Sequence, residues 1–411
     1  MTNLTTNNAE KSKTEKIAIL SVLKPVDDVR AYQKIAKSIS STSKKVTLIG
    51  FEKSSDLKNL DTSSSINFIE LFTSKKNATR LGLWRFFAGF KVFNQLLQLK
   101  PNTIIFCAVE LLPFALLFKF LFNSKSNRVK LVYDVQENYA FNILYQDNYP
   151  HFLKKLIAFL IRSFEKFSSS FIDLYLLAER CYLEEMSFLR KINYIFLENK
   201  FLCNSSDSWK LSATVNSDYL QTKEIKFLIY GSFSKPYGTL EGILFFKKLE
   251  KKLQKHHFSA RLVLAGYCSD TTYSKKIIEI IENENSILLL NNSVSKPISH
   301  TILLEQLQQT DFVILPYLFN KSTQNCIPTK FYECLAYKKP MLISKNQKWE
   351  NFIKPLEAGM EIREWEMGNG NEGIENEIQN IAQKILYTNF YTKTINEKVW
   401  KFDVEIIKKV I

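Results

Sequence analysis

The chain has 411 residues, 45% of them hydrophobic and 24% charged, with a formal net charge of +15. That length suits two domains with substantial cores, and the charge calls for an anionic partner or for lysines spread over solvated helices. No run of about 18 apolar residues offers a membrane-crossing helix, and the nearest candidate, Leu111 to Phe122, is short and holds Lys119. The 11 glycines form neither G-x-G-x-x-G nor G-K-[ST], which argues against a dinucleotide oxidoreductase and a P-loop kinase. The four histidines form no H-x-x-x-H, and Asp-x-Asp is absent, so no catalytic metal or cofactor is expected. Six cysteines without a C-x-x-C pair are expected to be free thiols in a reducing cytoplasm.

In chain order, residues 1–15 are polar, rich in Asn, Thr and Lys, and expected to be disordered. Lys16 to Val22 reads as the first strand, and the loop Leu23 to Val29 brings Asp27, Asp28 and Arg30 to the start of a helix ending near Ser40. By spacing alone, Asp27 or Asp28 is first a helix cap. Lys45 to Gly50 is a second strand and Ser65 to Phe72 a third. A helix from Leu81 to Leu99 follows, then a strand Thr103 to Cys107 and a very apolar helix from Glu110. The aromatic and basic mixture of 80–93 and 111–125 is assigned mainly to core with a snorkelling rim; an interfacial surface would show the same pattern. Val129 to Asp134 reads as a buried strand that delivers Asp134, Gln136 and Glu137 to a sheet edge. A helix 150–168, a strand Phe171 to Leu177, a helix 179–189 and a strand Tyr194 to Leu197 complete a Rossmann-like domain, 16–202.

Residues 203–222 are polar and aperiodic, as a linker is. A second Rossmann-like domain, 223–388, opens with the strand Lys226 to Tyr230, a loop Gly231-Ser232-Phe233 carrying Lys235, and a helix from Gly238 to about Gln254. Arg261 to Gly266 and Ser286 to Leu290 read as further strands, and a helix lies around Leu303 to Leu307. After Ser344 come a helix near 348–354, a strand Gly359 to Ile362, an acidic loop 364–373, and a helix from about Gly373 to Leu386. The last element, within 389–411, places Trp400, Val404, Ile407 and Val410 at helical spacing.

The stretch Thr310 to Ser344 carries the chemistry. Phe312 to Leu315 is a short apolar run of the kind buried on both faces. A polar loop with Asn320, Ser322, Gln324 and Asn325 leads to Pro328, which suits a first helical turn. A loop at the carboxyl end of a parallel strand, followed by a helix N-terminus, is a site for anions. Lys330 adds positive charge there, and Glu333 can accept two hydroxyls of a vicinal diol, so a diphosphate beside a ribose fits. An ordinary βαβ unit, with Lys330 and Glu333 as a solvated i,i+3 pair, fits the same spacing.

The run P-x-K-F-Y-E-C-L-A-Y-K-K-P, Pro328 to Pro340, resembles the nucleotide-sugar motif of GT-B glycosyltransferases, in particular those of family 4, or group 1. Asp28-Val29-Arg30 is similar to the Asp-x-Arg element that opens the first helix in that family, and Gly231, Gly238 and RLVLAG (Arg261 to Gly266) resemble its phosphate-wrapping loops. The resemblance implies an α/β, GT-B fold: two Rossmann-like domains with parallel sheets facing across a cleft, and a C-terminal helix crossing back to the first. It implies a retaining transferase that uses a nucleotide-diphosphate sugar without metal, with a lipid-linked or cell-surface glycan as acceptor, in the cytoplasm or at the inner face of an anionic membrane. Glu333 would hold the ribose; Gly231, Ser232, Lys235, Ser322, Lys330 and Phe331 would line the nucleotide-sugar site; Asn325 would meet the sugar, and Asp28 and Glu137 the acceptor side. The chain departs from the pattern at Ser232, where Arg is common, at Tyr237 for Lys, at Asn325 for Glu and at Gln136 for His. These departures point to the alternative, a catalytically degenerate GT-B protein that binds a sugar nucleotide or a partner. Nucleic-acid binding lacks a recognisable module.

Overall fold

The computed structural model describes residues 14–41, 43–53, 65–73, 83–145, 150–202, 218–290, 293–363, 372–393, 399–400 and 403–411. Residues 1–13 of the expected disordered N-terminus, 203–217 of the linker, Asn291 and Asn292, and most of the acidic loop 364–373 lie outside these residues. The end of the expected linker, Asp218–Thr222, is instead a helix whose Tyr219 is buried in the second unit and donates its hydroxyl to the Ile385 carbonyl. The chain divides into two compact units, one of residues 1–199 with 403–411 and one of residues 200–402.

The first unit is built on β1 (Glu15–Pro25), β2 (Lys44–Phe51), β3 (Ile66–Phe72), β4 (Thr103–Phe106), β5 (Lys130–Val135), β6 (Leu174–Leu177) and β7 (Tyr194–Phe196), in the order β3-β2-β1-β4-β5-β6-β7. The second holds β8 (Glu224–Ser232), β9 (Ser259–Tyr267), β10 (Ile287–Leu289), β11 (Phe312–Leu315), β12 (Met341–Ser344) and β13 (Gly359–Ile362), in the order β10-β9-β8-β11-β12-β13. Adjacent strands run parallel in both. Sequence explains place in the sheet. The apolar runs of β4, β11 and β12 are buried at every position, as central parallel strands covered on both faces must be. The edge strand β3 leaves Asn67 and Glu70 exposed, which blunts an open edge.

In each sheet the strand order reverses once between neighbours, at β1/β4 and at β8/β11. Loops diverge there at the carboxyl ends of the strands and leave a place for a ligand. The helix Val404–Val410 returns to the first unit, where the Lys130 ammonium donates to the Val410 carbonyl.

Several boundaries differ from the periodicity. The helix expected from Val29 is π-wound over Val29–Ala36 and becomes α-helical at Lys37–Ile39. The expected helix 179–189 is broken at Met186 (φ −118°, ψ 71°) into Tyr182–Glu185 and a 3-10 segment Ser187–Lys191. A 3-10 turn at Ser169–Phe171 shortens the strand that follows. The aromatic helices Leu83–Leu99 and Leu112–Phe122 bury Val92, Leu96, Phe114 and Phe118 but leave Phe87, Phe90, Phe120 and Leu121 exposed. Their assignment mainly to core therefore holds for only one face of each.

Candidate functional site

In the second unit the site grows from the end of β8. Gly231 has φ +92°, and a Cβ there would lie 2.9 Å from Lys330 Cε, so the missing side chain is what lets Lys330 lie across the strand end. Two further close approaches fix the surrounding loops. A Cβ on Gly238 (φ +60°) would fall 1.7 Å from the Pro316 carbonyl oxygen, and one on Gly266 would fall 1.9 Å from that of Gly231. The Leu318 N–H donates to the Pro236 carbonyl at 2.9 Å. The loops leaving β8 and β11 are thereby pinned to each other.

Lys330 sits in the first turn of the helix Thr329–Ala336, whose start no side chain caps. Its ammonium lies over three tyrosine rings, 5.1 Å from the centroid of Tyr230, 5.3 Å from Tyr237 and 5.7 Å from Tyr317. Ring faces attract a cation but replace water poorly. Burial pushes Lys330 down to about 8, with Glu333 opposing part of that effect. An anion brought to this ammonium would restore its missing solvation.

Glu333 is held one turn further on. The Tyr230 hydroxyl donates to its Oε2 at 2.7 Å, and His300 Nε2 lies 3.0 Å from its Oε1. Burial, helped by Cys334 and Glu333, holds the Tyr230 phenol well above its usual range, so it stays a donor. Each carboxylate oxygen has one protein partner and keeps further acceptor capacity. Two hydroxyls of one diol can use it.

The β11–helix loop is ordered by its own side chains. Asn320 Oδ1 accepts from the N–H and hydroxyl of Ser322 and from the N–H and hydroxyl of Thr323, an Asx turn that buries Ser322. From the helix Gln347–Ile353, Trp349 Nε1 donates to the Cys326 carbonyl at 2.8 Å and Asn346 Nδ2 to the Gln324 carbonyl at 2.7 Å. Asn325 lies half-buried between those two anchored carbonyls. Phe331 is wholly buried, its ring 5.0 Å from Trp349 and 6.2 Å from Phe352. It therefore supports the loop from below, and its side chain does not line the site. Ser232, the last residue of β8, and Lys235, on the loop after it, are exposed, and the ring that meets Lys330 from that loop is Tyr237.

The first unit carries a separate polar cluster at the ends of β1 and β5. Arg30 clamps buried Asp134, with Nε 2.9 Å from Oδ2 and Nη2 2.6 Å from Oδ1, and its Nη1 donates to the Leu197 carbonyl and to Asn199 Oδ1. Burial opposes the charge on Arg30, yet Asp134 outweighs it and its pKa stands above the ordinary value. Gln136 bridges outward, donating to Asp134 at 2.7 Å and accepting from the Lys24 ammonium at 2.6 Å. Cys107 is pushed up to about 12 by burial and by Asp134, which makes it inert as a thiolate. Asp28 caps the π-wound helix, its Oδ2 accepting from the N–H groups of Arg30 and Ala31 at 3.0 and 3.1 Å. Glu137 is exposed and accepts from Asn142 Nδ2 at 2.9 Å.

No family model matches the sequence, and no curated protein matches it. Solved structures do. A sucrose-phosphate synthase from Thermosynechococcus elongatus superposes with a TM-score of 0.63 at 12% identity, over 96% of this chain and 98% of that one. An α,α-trehalose-phosphate synthase (UDP-forming) from Burkholderia xenovorans, in complex with glucose-6-phosphate, gives 0.59 at 8% identity over 96% and 98%. An E. coli structure described as trehalose-6-phosphate bound with UDP-2-fluoro glucose gives 0.57 at 12% identity over 96% of each chain. The fold is GT-B.

Within this GT-B frame the structure gathers Gly231, Lys330 and Glu333 at the β8/β11 switch point and sets Ser322 and Asn325 on the adjoining loop. The sequence reading missed Tyr230, Tyr317, His300 and Trp349. Tyr230 and Tyr317 flank β-strand ends beside positions already singled out, so strand register could have found them. His300 and Trp349 come from other elements, and nothing in their local sequence marks them.

Proposed function

We propose that the protein is a glycosyltransferase that moves a sugar, with retention, from a nucleotide-diphosphate sugar to a lipid-linked or cell-surface glycan. The observation that carries this reading is the pairing, on one short helix, of a desolvated ammonium with a doubly held carboxylate. Lys330 and the uncapped helix start would take the diphosphate, and Glu333 the ribose diol. The acceptor hydroxyl forms a new bond to the anomeric carbon as the bond from that carbon to the diphosphate oxygen breaks. The electron pair leaves with the diphosphate, and the acceptor's proton passes to a phosphate oxygen. Lys330 stabilises the charge that develops on the leaving group.

Thermal shift against a panel of sugar nucleotides, headed by uridine donors, tests the reading with wild type and Glu333→Ala. A donor at about 100 times its dissociation constant stabilises by about 2.7 kcal/mol, and Glu333→Ala should lose most of that shift. No shift with any sugar nucleotide would refute the site. Two observations favour a second reading, of binding without turnover: Asn325 cannot carry the charge of a carboxylate, and Asp28 serves as a helix cap. A donor shift with no sugar transfer or donor hydrolysis would select it.

A further inference from the structure

The helix His151–Ser168 is amphipathic with its polar side inward. Lys154, Glu165 and Ser168 are buried. Glu165 accepts from the Tyr133 hydroxyl at 3.2 Å and from Arg162 Nη1 at 3.1 Å, and Arg162 also donates to Asn138. The opposite side presents Phe152, Lys155, Leu156, Phe159, Leu160, Ser163, Lys166 and Phe167 to solvent, with Phe152 at 74%, Phe159 at 67% and Phe167 at 70% exposure. This apolar stripe recurs at the 3.6-residue period but faces away from the unit's own core.

The stripe continues onto a second helix. Phe171 contacts Phe167 at 6.1 Å between centroids on one side and Phe120 at 5.1 Å on the other. Beyond Phe120 lie exposed Leu117 and Leu121 of the helix Leu112–Phe122. The eight exposed phenylalanines and leucines of these two helices offer on the order of 900 Å² of side-chain surface. A typical monomer's largest apolar patch is roughly 300–600 Å².

We propose that this face docks onto a bilayer surface rich in anionic lipid, with its aromatic stripe in the interface and its lysines at the headgroups. Charge decides the occupant. The helices Leu83–Leu99, Leu112–Phe122 and His151–Ser168 contain a single acidic residue, Glu165, and it is buried. Lys155 and Lys166 stand exposed among the phenylalanines and Lys125 beyond the end of the second helix, while Lys119 and Arg128 pair with Asp173. Two such faces pressed together would oppose like charges, whereas anionic headgroups complement them. The surface does not depend on the reaction proposed above, and sugar-nucleotide binding reads that reaction separately.

Co-sedimentation of the full chain with vesicles of phosphatidylcholine, alone or mixed with phosphatidylglycerol, tests the docking. The protein should bind the anionic vesicles at least about tenfold more tightly than the neutral ones, and less tightly as salt rises. The exposed double variant F159S/F167S should keep its melting temperature and donor shift yet lose about tenfold or more in partitioning. K155E/K166E should reduce anionic binding to the neutral level. Absence of binding by wild type, or equal binding by F159S/F167S, overturns the proposal. So does a concentration-dependent dimer in light scattering that F159S/F167S abolishes, because the face then serves a second copy.

Discussion

Replacing Lys330 by methionine removes the cation from the tyrosine cage while keeping much of its side-chain volume. In the native protein burial holds Lys330 at about 8, against an ordinary value of 10.5. A folded-state pKa below the unfolded one means that the unfolded chain binds more protons between about 8 and 10.5, so stability rises with pH across that window. Below about 8 both states are protonated and the charge costs its full penalty. That penalty is at most about 3 kcal/mol, reduced by the solvent that reaches this half-buried side chain. Without ligand, Lys330→Met should therefore be more stable than wild type near neutral pH and should lose the alkaline rise. With a sugar nucleotide the sign reverses. The diphosphate favours the ammonium, so binding takes up a proton above about 8, and wild-type affinity should fall by up to about tenfold per pH unit there. Calorimetric titration from about pH 6.5 to 9, in buffers of different ionisation heat, reads both the slope and the proton uptake. The variant should bind more weakly with a flat profile. Equal slopes in wild type and Lys330→Met would refute the argument that this ammonium meets the anion.

Further outcomes follow from other contacts. Asn caps helices as well as Asp does, so Asp28→Asn should leave the melting temperature within about 2 °C; lost turnover at that stability would show that the charge itself acts on the acceptor. Asp134→Ala leaves Arg30 buried without its carboxylate and should cost about 3–5 kcal/mol in denaturant unfolding; a loss under about 1 kcal/mol would mean that water reaches the cluster. Gly238→Ala places a methyl group against the Pro316 carbonyl at a left-handed φ and should destabilise by more than about 1 kcal/mol. Trp349→Ala should cost about 3–5 kcal/mol and weaken donor binding beyond that, because the Cys326 carbonyl loses its anchor.

Most of the strands were legible because parallel sheets need continuous apolar runs, and Phe312 to Leu315 or Met341 to Ile343 can serve as little else. Helix ends were less so. The break at Met186 and the π-wound start at Val29 depend on tertiary packing that local propensity does not encode. Lys330 and Glu333 were readable because a strand, a loop and a helix start lie within one stretch. Their partners were not, since Tyr230 and His300 reach Glu333 from positions 103 and 33 residues away. The outward face of His151–Ser168 was missed for another reason. Periodicity locates an apolar stripe but carries no sign for inside or outside, and the sign came from what the polar side found to bond.

The loop between β11 and its helix, stitched by Asn320 from within and by Asn346 and Trp349 from behind, has its shape before any ligand arrives. Its conformational entropy is lost when the chain folds, so a ligand entering here need not supply that ordering. Association should then be a single encounter step, with a rate linear in ligand concentration and no saturating isomerisation phase. Differences in affinity among related ligands should appear mainly as differences in residence time.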